Sequence, residues 1–295
     1  MAPLEHLAAL HVAGPDAGAF LDAQFTRRVT GLAPGELALA AWCNPEGRVR
    51  ALLRVLQSEA GDFLLVLPRA LAAGVGLALG RFVLRSRVHI APAPLPVWVI
   101  RAEPEAEPTL PAGRLLAAGA HPRAPERSLA VGSMDPAPAA GPAAAPATGT
   151  EAMSAADLAW RREDILAGLP QIHPATSGHW LPQSLDLEAL GGLAYDKGCY
   201  PGQEIVARVH YRGVVKQRLC LLTETVATGA VAPGAGTPLT DAAGQPQGEV
   251  LDAVRNEADG RVCALAVVGT AAAAGPLRTA GDPAGSGLLL ACTRS

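Results

Sequence analysis

The chain has 295 residues, 49% of them hydrophobic and 17% charged, with a formal net charge of −3. That length accommodates two or three domains and that apolar fraction a sizeable core, while the near-neutral charge gives no electrostatic case for direct nucleic-acid binding. Gly, Pro or Arg interrupts every apolar run before it reaches the length of a membrane span, and the opening Met1-Ala2-Pro3-Leu4-Glu5-His6 has no basic start before an apolar stretch, so a cytoplasmic location without a membrane segment is expected.

Taken in chain order, residues 15–29 predict a helix with Phe20, Leu21, Phe25 and Val29 roughly on one face. Residues 37–42, 48–56 and 63–67 predict three strands of an antiparallel meander, the first two joined by the turn signal Asn44-Pro45-Glu46-Gly47. A helix follows at 69–84, then strands near 87–90 and 96–100. The pattern weakens from about residue 101, and residues 134–150 are low-complexity Ala/Pro, read as a linker. Residues 154–167 predict a helix with Ser154 and Asp157 as capping candidates. Beyond 215, apolar runs at 217–223, 247–254, 261–268 and 287–292 alternate with Gly/Pro/Asp turns, the pattern of a small all-β unit such as a barrel. The expected division is therefore an N-terminal part over 1–132, a linker at 133–150, a continuation over 151–215 and a β-barrel over 216–295.

Five cysteines, at 43, 199, 220, 263 and 292, are widely spaced and form no CxxC pair, so neither a zinc ribbon nor a common iron–sulfur ligand set is visible. Four of them sit on apolar strand patterns and read as small buried residues. Lysine plus arginine total 24, yet lysine occurs only at 197 and 216, and all three tyrosines (195, 200, 211) fall near Lys197. A lysine kept where arginine is otherwise preferred points to an ammonium that can lose its proton when buried, or to chance.

The chemistry concentrates in residues 191–213, GGLAYDKGCYPGQEIVARVHYRG. Gly198 and Gly202 flank Cys199, Tyr200 and Pro201, and such a segment can turn tightly and bring its backbone against a neighbour or ligand. Ile205, Val206 and Val209 predict a short helix over 203–210 with Glu204 in its first turn, where a carboxylate is favourable. Cys199 would then precede a helix N-terminus and follow Lys197 by two residues, both features that stabilise a thiolate. The alternative is a small residue buried in a turn.

Lys197-Gly198-Cys199-Tyr200, one variable residue, then Gly202-Gln203-Glu204 resembles the K-G-C-[YF]-x-G-Q-E signature of the YgfZ-type folate-binding proteins, relatives of the glycine-cleavage T-protein. Ser177-Gly178, Leu181-Pro182-Gln183 and Leu190-Gly191-Gly192 before it, Val206-Ala207-Arg208 and Arg212-Gly213 after it, and the opening Gly14-Pro15-Asp16-Ala17 resemble the family as well. The resemblance implies an α+β, T-protein-like multidomain fold around a central folate-sized hole, with a small C-terminal β-barrel. It implies a tetrahydrofolate-type cofactor, and a role in the assembly or repair of iron–sulfur enzymes, including a tRNA-modifying one. Those enzymes or their assembly proteins would be the partners. It makes Cys199 the working residue, with Lys197 beside it. Gly198, Tyr200, Gly202, Gln203, Glu204 and Arg208 would form the supporting loop, and Trp160 would stand at the place of a folate-contacting tryptophan. As a residue, Trp160 reads equally as a core anchor of the 154–167 helix.

Departures from the family shape the expectation. The family's second tryptophan falls at His6 or Leu7, and the glutamate that touches the pterin in T-proteins falls at Leu166, with Glu163 three residues earlier. Where T-proteins carry an aspartate after the glycine turn, this chain has Arg50-Ala51-Leu52, which removes the general base of aminomethyl transfer. Three functions stay open: a folate-dependent iron–sulfur maintenance factor working through the Cys199 thiol, an aminomethyltransferase-like enzyme, and a folate-gated scaffold without catalysis. His173 and His179 read as loop histidines or metal ligands, and Arg208 and Arg212 around His210 as an anion contact or a solvated face.

Overall fold

The computed structural model describes residues 1–101, 115–133, 153–225, 231–256, 258–271, 276–279 and 291–293. The chain divides into two compact units: one comprises Met1–Trp42, Ala51–Asp157 and Asp196–Tyr200, the other Cys43–Arg50, Leu158–Tyr195 and Pro201–Ser295.

In the first unit, Ala2–Pro3 (β1) and Leu7–Ala13 (β2) precede a short helix, Ala17–Asp22 (α1). Strands Leu37–Cys43 (β3), Val49–Gln57 (β4) and Phe63–Pro68 (β5) follow as the meander predicts, then helix Arg69–Gly80 (α2) and strands His89–Pro92 (β6) and Val97–Arg101 (β7). A five-stranded sheet runs β3-β4-β5-β2-β6. Its β2 strand pairs antiparallel with β5, Leu10 facing Leu65, and with β6. Every residue of β3 and β5 is buried, which explains why these strands read as continuous apolar runs rather than alternating ones. Phe20, Leu21, Phe25 and Val29 join Leu53, Val55, Leu65, Val75 and Leu79 in one core.

The expected helix over 15–29 is correct about burial and wrong about extent. The helix stops at Asp22 because the chain beyond it finds other partners. Phe25 bridges to Trp42, Thr26 exchanges backbone and hydroxyl hydrogen bonds with Ala41, and the Asp22 carboxylate accepts the Val29 and Thr30 N–H groups.

A second sheet of this unit runs β1-β7-β9-β8, with Leu115–His121 (β8) and Ala124–Gly132 (β9) forming an antiparallel hairpin where the sequence pattern is weak. β8 is rich in Ala and Gly, and β9 opens on Ala-Pro-Glu, residues of low strand propensity, so their pairing rests on tertiary contact. Gly119 shows why: a Cβ there would lie 2.9 Å from the Glu36 carbonyl carbon and the Gly35 oxygen, beside the Glu36–Ala120 bridge.

In the second unit, helix Ala155–Leu166 (α3) continues out of the first. The Ser154 hydroxyl caps it by accepting the Asp157 N–H at 3.1 Å. Helix Gln203–Arg212 (α4) precedes strands Gln217–Thr225 (β10), Pro238–Thr240 (β11), Pro246–Arg255 (β12), Arg261–Gly269 (β13), Arg278–Thr279 (β14) and Ala291–Thr293 (β15). They form one sheet, β14-β11-β12-β13-β10-β15, around a core of Leu222, Leu239, Val250, Ala264, Ala266 and Val268. The strands predicted at 217–223, 247–254 and 261–268 are present. Among the described residues the six strands form an open order, and no pairing between β14 and β15 closes them into the expected barrel. The linker at 134–150 and most of the run at 287–292 lie outside the described residues. No helix among the described residues is long and apolar enough to cross a membrane.

Candidate functional site

The KGCY half of the motif belongs to the first unit and its PGQE half to the second. In the first, Lys197 is a fastening. Its ammonium donates to the carbonyl of Asp22 and, at 2.6 Å, to that of Phe25, both just at the C-terminal end of α1, where unpaired carbonyls favour a cation. The same nitrogen lies 4.8 Å from the centre of the Tyr200 ring, a cation–π distance, and Tyr200 is itself buried. Burial brings the Lys197 ammonium down to about 8; the Arg28 charge works in the same direction, and Asp22 and Cys199 oppose it. Arg28 holds the loop from its other side, donating to the Asp196 carbonyl at 2.6 Å.

Between these fixed points Cys199 is exposed, the exposed one among the cysteines Cys43, Cys199, Cys220 and Cys263. Burial pushes the Cys43 thiol up to about 12 and raises that of Cys263. A thiol held out to solvent by anchored neighbours is chemically accessible, whereas the buried ones are packing. Gly198 beside it has open space where a Cβ would be, so close packing does not require a glycine there.

In the second unit, the glycine of the PGQE half has a packing reason. Gly202 takes φ +80°, and a Cβ there would lie 2.4 Å from Gly47 Cα and 2.5 Å from the Asn44 carbonyl oxygen. Gly47, at φ +74°, in turn meets the Gly202 oxygen and the Val206 and Ile205 side chains. The Asn44–Gly47 turn, closed by the Asn44 side chain accepting the Arg48 N–H at 2.7 Å, thus sits directly on the start of α4. Gln183 secures the same helix, donating from Nε2 to the Val206 carbonyl at 2.8 Å. Glu204 pairs with Arg208 at 2.9 Å on the exposed helix face. Tyr195 stacks on His210 at 3.8 Å between ring centres and donates its hydroxyl to Glu188.

Trp160 lies in the second unit, 4% exposed, in keeping with a core anchor of α3. Leu166 is 44% exposed. In the first unit His6, near the place of the family's other tryptophan, bonds Asp157 at 2.6 Å through Nδ1, and Asp157 stays below the usual carboxylate range despite burial because of that bond. His173 and His179 face carboxylates, Asp252 at 3.4 Å and Glu249 at 2.9 Å, and no group of three metal-binding side chains occurs among the described residues. Arg50, Ala51 and Leu52 bring no carboxylate at their place on β4.

Sequence reasoning missed the partners rather than the motif: the Asp22 and Phe25 carbonyls, and the Gly47–Gly202 contact. It also missed a buried ion network in which Arg161 donates to both oxygens of Asp252 and to the Ala253 carbonyl, with His173 adjacent. Burial would raise the Asp252 carboxyl, but the bonds and charges of His173 and Arg161 hold it down to about 2. The two glycines were visible as turn residues; their contact spans a separation that no periodicity encodes.

No family model matches the chain. Among solved structures it is similar to the glycine cleavage system aminomethyltransferase T from Bartonella henselae, with a TM-score of 0.65 at 12% identity, over 99% of this chain and 84% of that one, a likeness of fold. Among curated proteins it is 31% identical to the tRNA-modifying protein YgfZ of Klebsiella pneumoniae over 238 residues, 75% of this chain and 71% of that protein. It is 32% identical to the YgfZ of Edwardsiella ictaluri over 71% of this chain and 66% of that protein. A 112-residue segment is 43% identical to the YgfZ of Escherichia coli, 37% of this chain and 33% of that protein. With the KGCYPGQE segment intact and a T-protein-like fold around it, the chain belongs to the YgfZ family.

Proposed function

We propose that this protein supports iron–sulfur enzymes, tRNA-modifying ones among them, through the Cys199 thiol, and that it binds a tetrahydrofolate-type ligand. The observation that carries the reading is the exposed Cys199 held between Lys197, bonded to two backbone carbonyls, and the buried Tyr200. Such a thiol is accessible to a partner protein or its metal, and its neighbours fix where it is presented. The relatives from Klebsiella pneumoniae and Edwardsiella ictaluri are named tRNA-modifying proteins, which favours a link to tRNA modification.

The residues aligned with a pterin contact do not fit it as placed. Trp160 has almost no free face, and Leu166 brings no polar atom to where a carboxylate would meet the pterin N–H edge. Chemistry is therefore assigned to the thiol alone, and folate enters as a ligand of the family. The lack of a carboxylate at residues 50–52 weighs against aminomethyl transfer.

The test is complementation. In cells lacking the protein, wild type should restore the activity of an iron–sulfur tRNA-modifying enzyme and Cys199→Ala should not, with both folded and equally abundant. Full rescue by Cys199→Ala would sink the thiol reading and leave the scaffold. Calorimetric titration with tetrahydrofolate checks the ligand, and absence of binding would remove folate from the reading.

A further inference from the structure

We propose that the outer face of α2 and the bend that follows it, both in the first unit, dock on an anionic lipid surface. After Arg69, α2 carries no charged or hydrogen-bonding side chain. Ala72, Val75 and Leu79 turn into the core of the five-stranded sheet, and the opposite face shows Ala70, Ala73, Gly74 and Leu77 to solvent. A helix lying on water carries polar side chains on that face, and this one carries none. Leu77 is 74% exposed, and beyond the helix end Phe82 is 46% and Leu84 84% exposed. Side chains so bare contribute little to the core and stand as an apolar patch that water disfavours.

Charge names the occupant. Arg81 precedes Phe82 and Arg85 follows Leu84, both exposed, and among the described residues neither makes a side-chain hydrogen bond or ion pair. The strands on which α2 packs, β2, β5 and β6, hold no aspartate or glutamate, and the sequence has none between Asp62 and Glu103. The carboxylates beside this stretch are engaged, Asp16 with Arg87 and Asp62 with His11. The positive charge of the patch is therefore uncompensated. Apolar side chains flanked by such cations suit an anionic bilayer, where the former enter the acyl boundary and the latter meet phosphates. A nucleic acid would meet the arginines and leave Leu77 and Leu84 without contact. A second copy docked face to face would set arginine against arginine. A folded partner would need pockets matched to three separate protruding side chains, whereas a fluid bilayer needs none. The inference rests on neither the thiol nor the folate reading.

The test is flotation of the full chain with vesicles of phosphatidylcholine containing about 30% phosphatidylglycerol, against vesicles of phosphatidylcholine alone. Binding to the anionic vesicles at millimolar lipid, little to the neutral ones, and a steep fall as salt rises from about 0.05 to about 0.5 M are expected. The double variant Arg81→Ala/Arg85→Ala should weaken binding by roughly tenfold or more through lost charge. Leu77→Ala/Leu84→Ala should weaken it by a similar factor, roughly tenfold, through lost insertion. Arg261→Ala, which removes an exposed arginine of the second unit, should bind as wild type. All five positions are exposed, so the thermal unfolding of the variants should match wild type. No binding to the anionic vesicles overturns the proposal and leaves the face to a protein partner. Equal binding to the neutral vesicles, or wild-type affinity in either double variant, overturns it as well.

Discussion

Replacing Gly202 by alanine tests whether the second half of the motif is held by packing. Gly202 adopts φ +80°, a conformation that costs an L-residue about 1–2 kcal/mol. Its new Cβ would also lie 2.4 Å from Gly47 Cα and 2.6 Å from the Gly47 nitrogen, and backbone atoms of a closed turn cannot step aside as a flexible side-chain end can. Overpacking of this kind adds about 1–3 kcal/mol, so the expected loss is about 2–5 kcal/mol. Gly178 is the control in the same unit. It has φ +83° and nothing within 4 Å of the added Cβ, so Gly178→Ala should lose only the conformational part, about 1–2 kcal/mol. Urea unfolding of both variants, followed by the transition that reports the second unit, gives the difference directly. If Gly202→Ala is no more destabilised than Gly178→Ala, the contact between the Asn44–Gly47 turn and the start of α4 is not close, and this account of the motif glycine is wrong.

Native-state labelling with a maleimide, followed by peptide mapping, should modify Cys199 ahead of Cys43, Cys220 and Cys263, which react only on unfolding; early modification of Cys43 would contradict its burial. Asp252 has a folded pKa of about 2 against an unfolded value near 4, so its contribution of about 2 kcal/mol is fully present above about pH 4 and fades as pH falls through about 2. Arg161→Met removes the main partner of this buried carboxylate and should lose about 3–5 kcal/mol at neutral pH, with acid unfolding at a higher pH; an unchanged acid midpoint would refute the network. Lys197 works with the opposite sign: its folded pKa of about 8 lies below the unfolded value of about 10.4, so the unfolded chain binds more protons between them and stability gains from rising pH in that window. Lys197→Met should flatten that slope in urea titrations at pH 8 and pH 10, and an identical slope would show that the ammonium is not desolvated.

The sequence by itself determined the meander, the long runs of the last sheet, helices α2, α3 and α4, and the motif with its exposed thiol candidate, because each is encoded locally. Apolar periodicity marks the elements, glycine marks the turns, and the K-G-C-Y-x-G-Q-E order marks the family. What only the tertiary structure decided depends on residues far apart in the chain. Leu7–Ala13 enters the middle of a sheet, and the helix predicted to Val29 gives way at Asp22 because Phe25 and Thr26 pair with Trp42 and Ala41. Ala- and Gly-rich β8 becomes a strand by pairing with β9, and at Gly119 the absence of a Cβ lets the Gly35–Glu36 backbone pass close by. In the motif, likewise, the letters were legible but their partners were not. Lys197 reaches back to carbonyls at the end of α1, and Gly202 rests against Gly47, two contacts that follow from chain folding and hydrogen-bond satisfaction rather than from any local preference.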